Sequence, residues 1–294
     1  MPEPAEYATG NKPTWCPGCG NFGLWEALKA ACAASGLPFE KLACVWGIGC
    51  HGNGADFTRC QGFHALHGRA LPVATGLQLS NPDLTVVVEM GDGDGYGIGL
   101  GHFAHSCRRN IDLTVIAHDN QIYGLTTGQA SPTTEQHMPT VSTPAGVLEQ
   151  PVNTIGLAVA EGATFVARGF TGDVPHLTGL ISEALKHKGF AVVDIFQPCI
   201  TWNKLNTAAW FRERVYKLEE SGWDPTDRAK AMELSLTTFH DMACTPEQCR
   251  LPIGVIYREE GVPTYSDGLP QVTGPLWKTA LAPRDISATL AKMG

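Results

Sequence analysis

The chain of 294 residues carries 21 Lys and Arg against 29 Asp and Glu, a formal charge of −8, and is 43% hydrophobic and 17% charged. That balance suits a globular chain able to bury a sizeable core, and with a pI near 5.7 and no Lys/Arg run it leaves no footprint for nucleic acid. Residues 1–20 hold no apolar leader core, and the most apolar stretch, 84–90, is interrupted by Glu89 and falls far short of the ~20 residues of a membrane span, so a cytoplasmic chain with no membrane partner is expected.

From the N-terminus, apolar periodicity and turn signals predict a helix at 22–34 and a strand at 42–46. Then follow a helix at 69–79, a strand at 84–90, a helix at 98–108 and a strand at 113–117. The series continues with a helix at 152–161, a strand at 164–167, a helix at 175–186 and a strand at 191–196. Such alternation implies an α/β fold, a parallel sheet with helices on both faces. Beyond Trp202 the pattern is mixed, with charged helical stretches at 211–220 and 226–239 and a Pro-rich end at 246–283. Residues 1–201 are therefore expected to form the ligand-binding domain, and 202–294 an extension that covers it or packs on a partner subunit.

Parallel sheets bind ligands outside the carboxyl ends of their strands. The unusual residues of this chain all follow predicted strands: Gly47-Ile48-Gly49-Cys50, Gly91-Asp92-Gly93-Asp94-Gly95, Asp119-Asn120 and Pro198-Cys199. Glycine is also concentrated at 18–23, 47–54 and 91–101, as where backbone packs against a ligand.

The Gly91–Gly97 loop leaves a buried strand and opens a helix, so its amides can face a phosphate. A carboxylate beside a polyanion is repulsive unless a divalent cation lies between them, and Mg²⁺ takes about six oxygens, including one or two carboxylates. Asn120 ends the next strand, and its amide oxygen, an Asp92 oxygen and the Ile122 carbonyl would make half an octahedron. The alternative is that Asp92 caps a helix and Asn120 forms a turn. These residues resemble the thiamine diphosphate motif, a Gly-Asp-Gly after one strand and an Asn after the next. By that match Asp92, Asn120 and Ile122 hold Mg²⁺, and Gly93 and Asp94 present amides to the diphosphate.

Ten cysteines in a chain expected to be cytoplasmic should be thiols or metal ligands. Trp15-Cys16-Pro17-Gly18-Cys19-Gly20 sets two thiols in a tight turn before a helix, a spacing open to metal binding or dithiol exchange. Dithiol motifs of the thioredoxin kind follow a strand, whereas residues 1–14 are polar and proline-bearing. Cys50 and Cys199 belong to loops on the same sheet edge, so four thiolates can gather there around an iron–sulfur cluster, with structural zinc the alternative. Cys32, Cys44, Cys60 and Cys107 read as small buried side chains, and Cys244 and Cys249 as exposed free thiols.

Together, the acidic loop and the four cysteines resemble the β subunit of the 2-oxoacid:ferredoxin oxidoreductases, most closely the two-subunit type that includes 2-oxoglutarate:ferredoxin oxidoreductase. Trp15–Gly20, Gly47–Cys50, His64–Ala70, Gly91–Gly95 and Asn120–Gly124 recur in family order. The resemblance implies a [4Fe–4S] cluster on Cys16, Cys19, Cys50 and Cys199, and thiamine diphosphate with Mg²⁺ against Ile48, Gly49, Cys50, His67, Gly91, Asp92, Gly93, Asp94, Asn120, Ile122, Gly124 and Leu125. It implies coenzyme A-dependent oxidative decarboxylation of a 2-oxoacid, 2-oxoglutarate favoured, with electrons passed to ferredoxin. An α subunit is expected to supply the Glu that activates the coenzyme and part of the pocket. His51 and His67 are the candidate catalytic groups, with His64 nearby, and Arg59 and Arg69 are candidates for substrate carboxylates or for capping and solvation. The chain departs from many relatives by carrying Thr127 where they have Lys, which puts any substrate or coenzyme A contact of that lysine in doubt. A non-redox thiamine decarboxylase and a zinc-stabilised binding protein are the competing readings.

Overall fold

The computed structural model describes residues 2–237, 245–270, 274–278 and 285–293. Among the described residues eight strands form one sheet: β1 Leu42–Trp46, β2 Gln61–His64, β3 Thr85–Gly91, β4 Leu113–Asp119, β5 Phe165–Phe170, β6 Phe190–Phe196, β7 Val215–Lys217 and β8 Leu251–Arg258. Among the described residues the helices are α1 Gly20–Ala34, α2 Gly54–Phe57, α3 Ala70–Ser80, α4 Leu100–Arg108, α5 Thr154–Ala160, α6 Val174–Lys186, α7 Ala208–Arg214, α8 Arg228–Leu236 and α9 Ser287–Leu290. The strand order is β2-β1-β3-β4-β6-β5-β8-β7. All neighbours are parallel except β5 and β8, which run antiparallel.

Strand alternation divides the core between the two faces of the sheet. Ala43 and Val45 of β1, with Val86, Val88 and Met90 of β3, pack under α3, α4, α5 and α8. Leu42, Cys44 and Trp46, with Val87 and Ile116, pack under α1 and α6. The chain runs from β1 outward to β2 on one side and from β3 to β4 on the other, so the loops after β1 and β3 part company. The crevice between them is the switch point at which such sheets bind ligands.

The five predicted strands and five predicted helices of residues 22–196 are present, with ends shifted by a few residues. Three strands escaped the pattern. β2 is exposed along its length, so it has no apolar run to betray it. β8 lies in the stretch read as a Pro-rich end, yet it pairs with β5 and β7. Pro252 and Gly254 hide it, both being residues that speak against a strand interior. The charged stretch 211–220 is not one helix: α7 stops at Arg214, Val215–Lys217 pairs with Leu251–Ile253, and a 3-10 turn follows at Leu218–Glu220. The predicted helix at 226–239 is α8 as far as Leu236, and its last two positions lie outside the described residues.

Cys32, Cys44 and Cys107 are buried as expected, but Cys60 is only half-buried. Cys249 is not an exposed free thiol: it is 5% exposed and disulfide-bonded. Cys244 lies outside the described residues. No described helix is long and apolar enough to cross a membrane.

Candidate functional site

The loops after β1, β3 and β4 enclose a cavity of about 350 Å³ at the switch point. Ile48, Gly49, Cys50 and His51 line it from the first loop, Gly91 to Asp94 from the second, and Asn120, Ile122, Gly124 and Leu125 from the third. His67 reaches it from the turn before α3. The structure thus gathers into one cavity every residue expected to contact the coenzyme.

Asp94 packs tightly into the floor. Its Oδ1 accepts the Gly68 amide at 2.6 Å and lies 3.2 Å from His67 Nδ1, while Oδ2 is buried without a partner. A Cβ on Gly47 would stand 1.8 Å from that Oδ2, so the first Gly of Gly47-Ile48-Gly49 is required by the carboxylate of the next loop. Burial raises the Asp94 pKa, and the amides of Gly68 and Ile48 and the His67 ring oppose it. Gly93 is required by Tyr123, whose ring a Cβ would meet at 2.1 Å and whose hydroxyl donates to the Gly93 carbonyl at 3.0 Å.

Asp92 is 3% exposed, and its Oδ2 accepts from Ser131 Oγ at 2.6 Å and Thr133 Oγ1 at 2.7 Å. Burial pushes its pKa up to about 6 despite those donors and the Gly93 amide. Asn120 Oδ1 accepts the Ile122 amide at 3.0 Å, closing a turn through Gln121 at φ 58°. This left-handed residue reverses the chain, and both neighbours face the cavity. Among the described residues no three His, Cys, Asp or Glu side chains meet at single-ion distance. The set that fits a cation here is one carboxylate with amide and main-chain oxygens, as a hard divalent ion prefers. A buried carboxylate whose ionisation burial opposes also gains from such an ion.

Asn120 does not lead into a helix, as parallel-sheet loops commonly do. Residues 120–153 run irregularly to α5, a length unusual unless the segment serves a site. Thr133 Oγ1 reaches both Asp92 and Asp119 Oδ1, the latter at 2.8 Å, and Thr134 Oγ1 donates to the Gln121 carbonyl at 2.7 Å. Sequence reasoning missed Ser131, Thr133 and Tyr123. The Ser131-Pro132-Thr133-Thr134 cluster was the available signal for hydroxyl donors, although its letters also suit a surface turn.

The four cysteines come together on the adjoining rim. Cys19 N bonds Cys16 O at 2.9 Å to close the tight turn, and Gly20 N bonds Pro198 O at 3.3 Å to tie it to the loop after β6. Thr201 Oγ1 lies 3.2 Å from Cys16 Sγ. A Cβ on Gly124 would lie 3.5 Å from Cys199 Sγ and 3.9 Å from Cys50 Sγ, so both sulfurs flank one point of the cavity wall. Burial pushes the Cys19 thiol up to about 11, and Cys199, Cys50 and Cys16 each add to that rise, being close enough to repel its charge. A cationic iron–sulfur core that takes thiolates would offset both effects. The CxxC turn precedes α1 rather than following a strand.

His51 is 4% exposed and stacks on His118 with centroids 4.7 Å apart. Burial lowers its pKa well below the usual value, with His118 and His64 repelling its cation. His64 stands exposed on β2. Neither arginine lines the cavity: the Arg59 guanidinium covers the Phe39 ring at 4.2 Å, and Arg69 Nη1 donates to the Gly68 carbonyl at 3.2 Å.

Two protein families match the chain. Residues 47–195 match the thiamine pyrophosphate enzyme, C-terminal TPP binding domain, and residues 199–274 match the C-terminal part of the pyruvate ferredoxin oxidoreductase beta subunit. A 2-oxoacid:ferredoxin oxidoreductase subunit beta from Sulfolobus sp is 47% identical over 257 residues, covering 86% of this chain and 84% of that protein. The chain belongs to the β subunits of the 2-oxoacid:ferredoxin oxidoreductases. The 2-oxoglutarate synthase subunit KorB of Archaeoglobus fulgidus is 43% identical over 210 residues, 69% of this chain and 78% of that one. A solved 2-oxoglutarate:ferredoxin oxidoreductase from Magnetococcus marinus, with 2-oxoglutarate, coenzyme A and succinyl-CoA bound, matches with a TM-score of 0.88 at 38% identity, covering 100% of this chain and 96% of that chain. Within this family the TPP-binding match begins at Gly47, the residue whose missing Cβ makes room for Asp94. The second match begins at Cys199 and takes in β7 and β8.

Proposed function

We propose that this β subunit holds thiamine diphosphate, Mg²⁺ and one [4Fe–4S] cluster and, with an α subunit, carries out reversible coenzyme A-dependent oxidative decarboxylation of a 2-oxoacid, passing electrons to ferredoxin in the cytoplasm. The observation that carries this reading is that Cys16, Cys50 and Cys199 lie close enough to Cys19 to act on its charge, while Cys50 also lines the cavity that Asp92, Asn120 and Ile122 line. When bound, thiamine diphosphate would supply an electron sink for decarboxylation and the cluster would supply one-electron redox chemistry.

The chain's own residues bind and orient. Asp92, Asn120 Oδ1 and the Ile122 carbonyl would hold the cation, with Ser131 and Thr133 fixing the carboxylate from behind. The Gly91–Asp94 loop and His67 would face the diphosphate, and Ile48, Gly49, Gly124 and Leu125 line the same cavity. Buried His51 and half-buried His67 are the candidates for holding or moving a proton. The activating Glu is assigned to the α subunit. 2-Oxoglutarate is the favoured substrate, on the strength of the KorB relatives and the 2-oxoglutarate-bound solved protein. Thr127, exposed and left-handed at φ 78°, leaves any ligand contact by a lysine at that position to another residue or to the partner.

Anaerobic purification followed by iron, sulfide and zinc analysis tests the reading. About four iron and four sulfide per chain support it. A single zinc, or no metal with decarboxylation retained, overturns it in favour of a zinc-stabilised binding protein or a non-redox thiamine decarboxylase. Full-rate decarboxylation by the isolated chain would overturn the assignment of the activating Glu to an α subunit.

A further inference from the structure

Cys199 begins a short turn after β6. The Asn203 amide donates to the Cys199 carbonyl at 3.1 Å and closes the turn. The Asn203 side chain then pins it from inside the protein, being 1% exposed. Its Nδ2 donates to the Asn120 carbonyl at 3.1 Å, and its Oδ1 accepts the amides of Leu205 and Asn206 at 3.1 and 2.9 Å. Lys204 Nζ adds a bond to the Ile200 carbonyl at 2.6 Å. The middle of the turn is thus held in place by both flanks.

Thr201 sits there, and its Oγ1 donates to Cys16 Sγ at 3.2 Å. The neighbouring sulfur is served differently. Cys19 immediately precedes α1, whose first amides lack helical partners, and the Asn21 main chain is its hydrogen-bonding neighbour, opposing the rise of its thiol. Cys16 lies further from the helix and receives a side-chain hydroxyl instead. A cysteine sulfur bound to iron carries no hydrogen, so a hydroxyl beside it can only donate.

Reduction of an iron–sulfur cluster adds one electron and breaks no bond, and part of the added negative charge falls on the ligand sulfurs. A donor aimed at one of them therefore favours the reduced form over the oxidised one.

We propose that the Thr201 hydroxyl, by donating to Cys16 Sγ, holds the reduction potential of the cluster more positive than the four cysteines alone would set it. The proposal rests on Cys16, Cys19, Cys50 and Cys199 holding one cluster. Thr201 does not line the coenzyme cavity, so its effect is on the electron-accepting side of the reaction. Cys16 is exposed, and water takes over from a hydroxyl that is simply deleted. A substitution that reveals the bond has to fill the same space.

The test is a dithionite redox titration, followed by electron paramagnetic resonance, of the cluster-loaded chain assembled with its α subunit. Thr201→Val keeps the shape, removes the donor and keeps water from its place. The equilibrium for reduction should fall about threefold, a shift of roughly −30 mV at about 59 mV per decade for one electron. Thr201→Ser keeps the hydroxyl and should titrate as wild type. Thr201→Ala admits water and should shift the same way by less; it replaces Thr201→Val if that variant does not load the cluster. Iron and sulfide per chain should match wild type in each variant measured.

A wild-type potential in Thr201→Val, or in Thr201→Ala where that replaces it, would overturn the proposal, as would an equal shift in Thr201→Ser. A wild-type complex without iron and sulfide would instead refute the cluster reading, and this role with it.

Discussion

Replacing Asp92 by Asn should stabilise the Mg²⁺-free protein while abolishing its cation-dependent coenzyme binding. Burial raises the Asp92 pKa from the ordinary 3.8 to about 6, more than the donors Ser131, Thr133 and Gly93 lower it. In the unfolded chain the carboxyl ionises near 3.8 and in the native state near 6, so the native state holds the extra proton between those values. Stability is therefore lost as pH rises from about 4 to about 6 and is flat above. The full penalty is about 3 kcal/mol. Asn at this position carries no charge to bury, and its amide oxygen can still accept from the two hydroxyls. Urea or thermal unfolding of Mg²⁺-depleted protein should show Asp92→Asn more stable at pH 8 by up to about 3 kcal/mol, or roughly 5 °C in Tm for a chain of this size. The advantage should shrink towards pH 4.5, and added Mg²⁺ should stabilise only the wild type. An Asn variant less stable at pH 8, or an advantage that ignores pH, would refute the account of Asp92 as an ionisable group strained by burial and relieved by a cation.

Other substitutions probe neighbouring features. Ser131→Ala removes a 2.6 Å donor to Asp92, worth about 1.5–3 kcal/mol to a charged acceptor; Mg²⁺ affinity measured by calorimetry should weaken about tenfold, with little change in iron content. Gly47→Ala sets a Cβ 1.8 Å from Asp94 Oδ2, so the variant should lose coenzyme binding and several degrees of Tm, and unaltered binding would contradict the packing. Cys199→Ser should lower iron per chain sharply, whereas Cys60→Ser should leave iron and sulfide unchanged. Arg168→Met strands the buried Asp194 carboxylate, 3.8 Å from the guanidinium, and should cost about 3–5 kcal/mol in denaturant unfolding.

The parts of this protein that could be read in advance are those whose signal is local. Residues 42–46 form a fully buried apolar run between turn residues, and β1 spans the same five positions. Gly91-Asp92-Gly93 and Asn120 announce themselves because glycine beside acid, after a buried strand, makes little sense without a ligand. What stayed hidden depends on partners far along the chain. β8 is a strand because β5 and β7 flank it, and its own Pro252 and Gly254 argue otherwise. Ser131 and Thr133 look like turn residues until the loop folds back onto Asp92, 39 and 41 positions earlier. Glu89 was visible as an interruption in an apolar run. Its partner was not, since His118, 2.6 Å away on the neighbouring strand, lies 29 positions on.

The stretch from Asn120 to Asn153 is fastened to the sheet largely by hydroxyls that converge on Asp92 and Asp119. Order in that stretch and charge on Asp92 are thus two sides of one equilibrium: whatever favours the carboxylate tightens the clasp, and whatever neutralises it slackens the segment. A protease that nicks exposed backbone around Val141 and Leu148, both solvent-facing, would then report how full the cavity is, from a distance and without touching it.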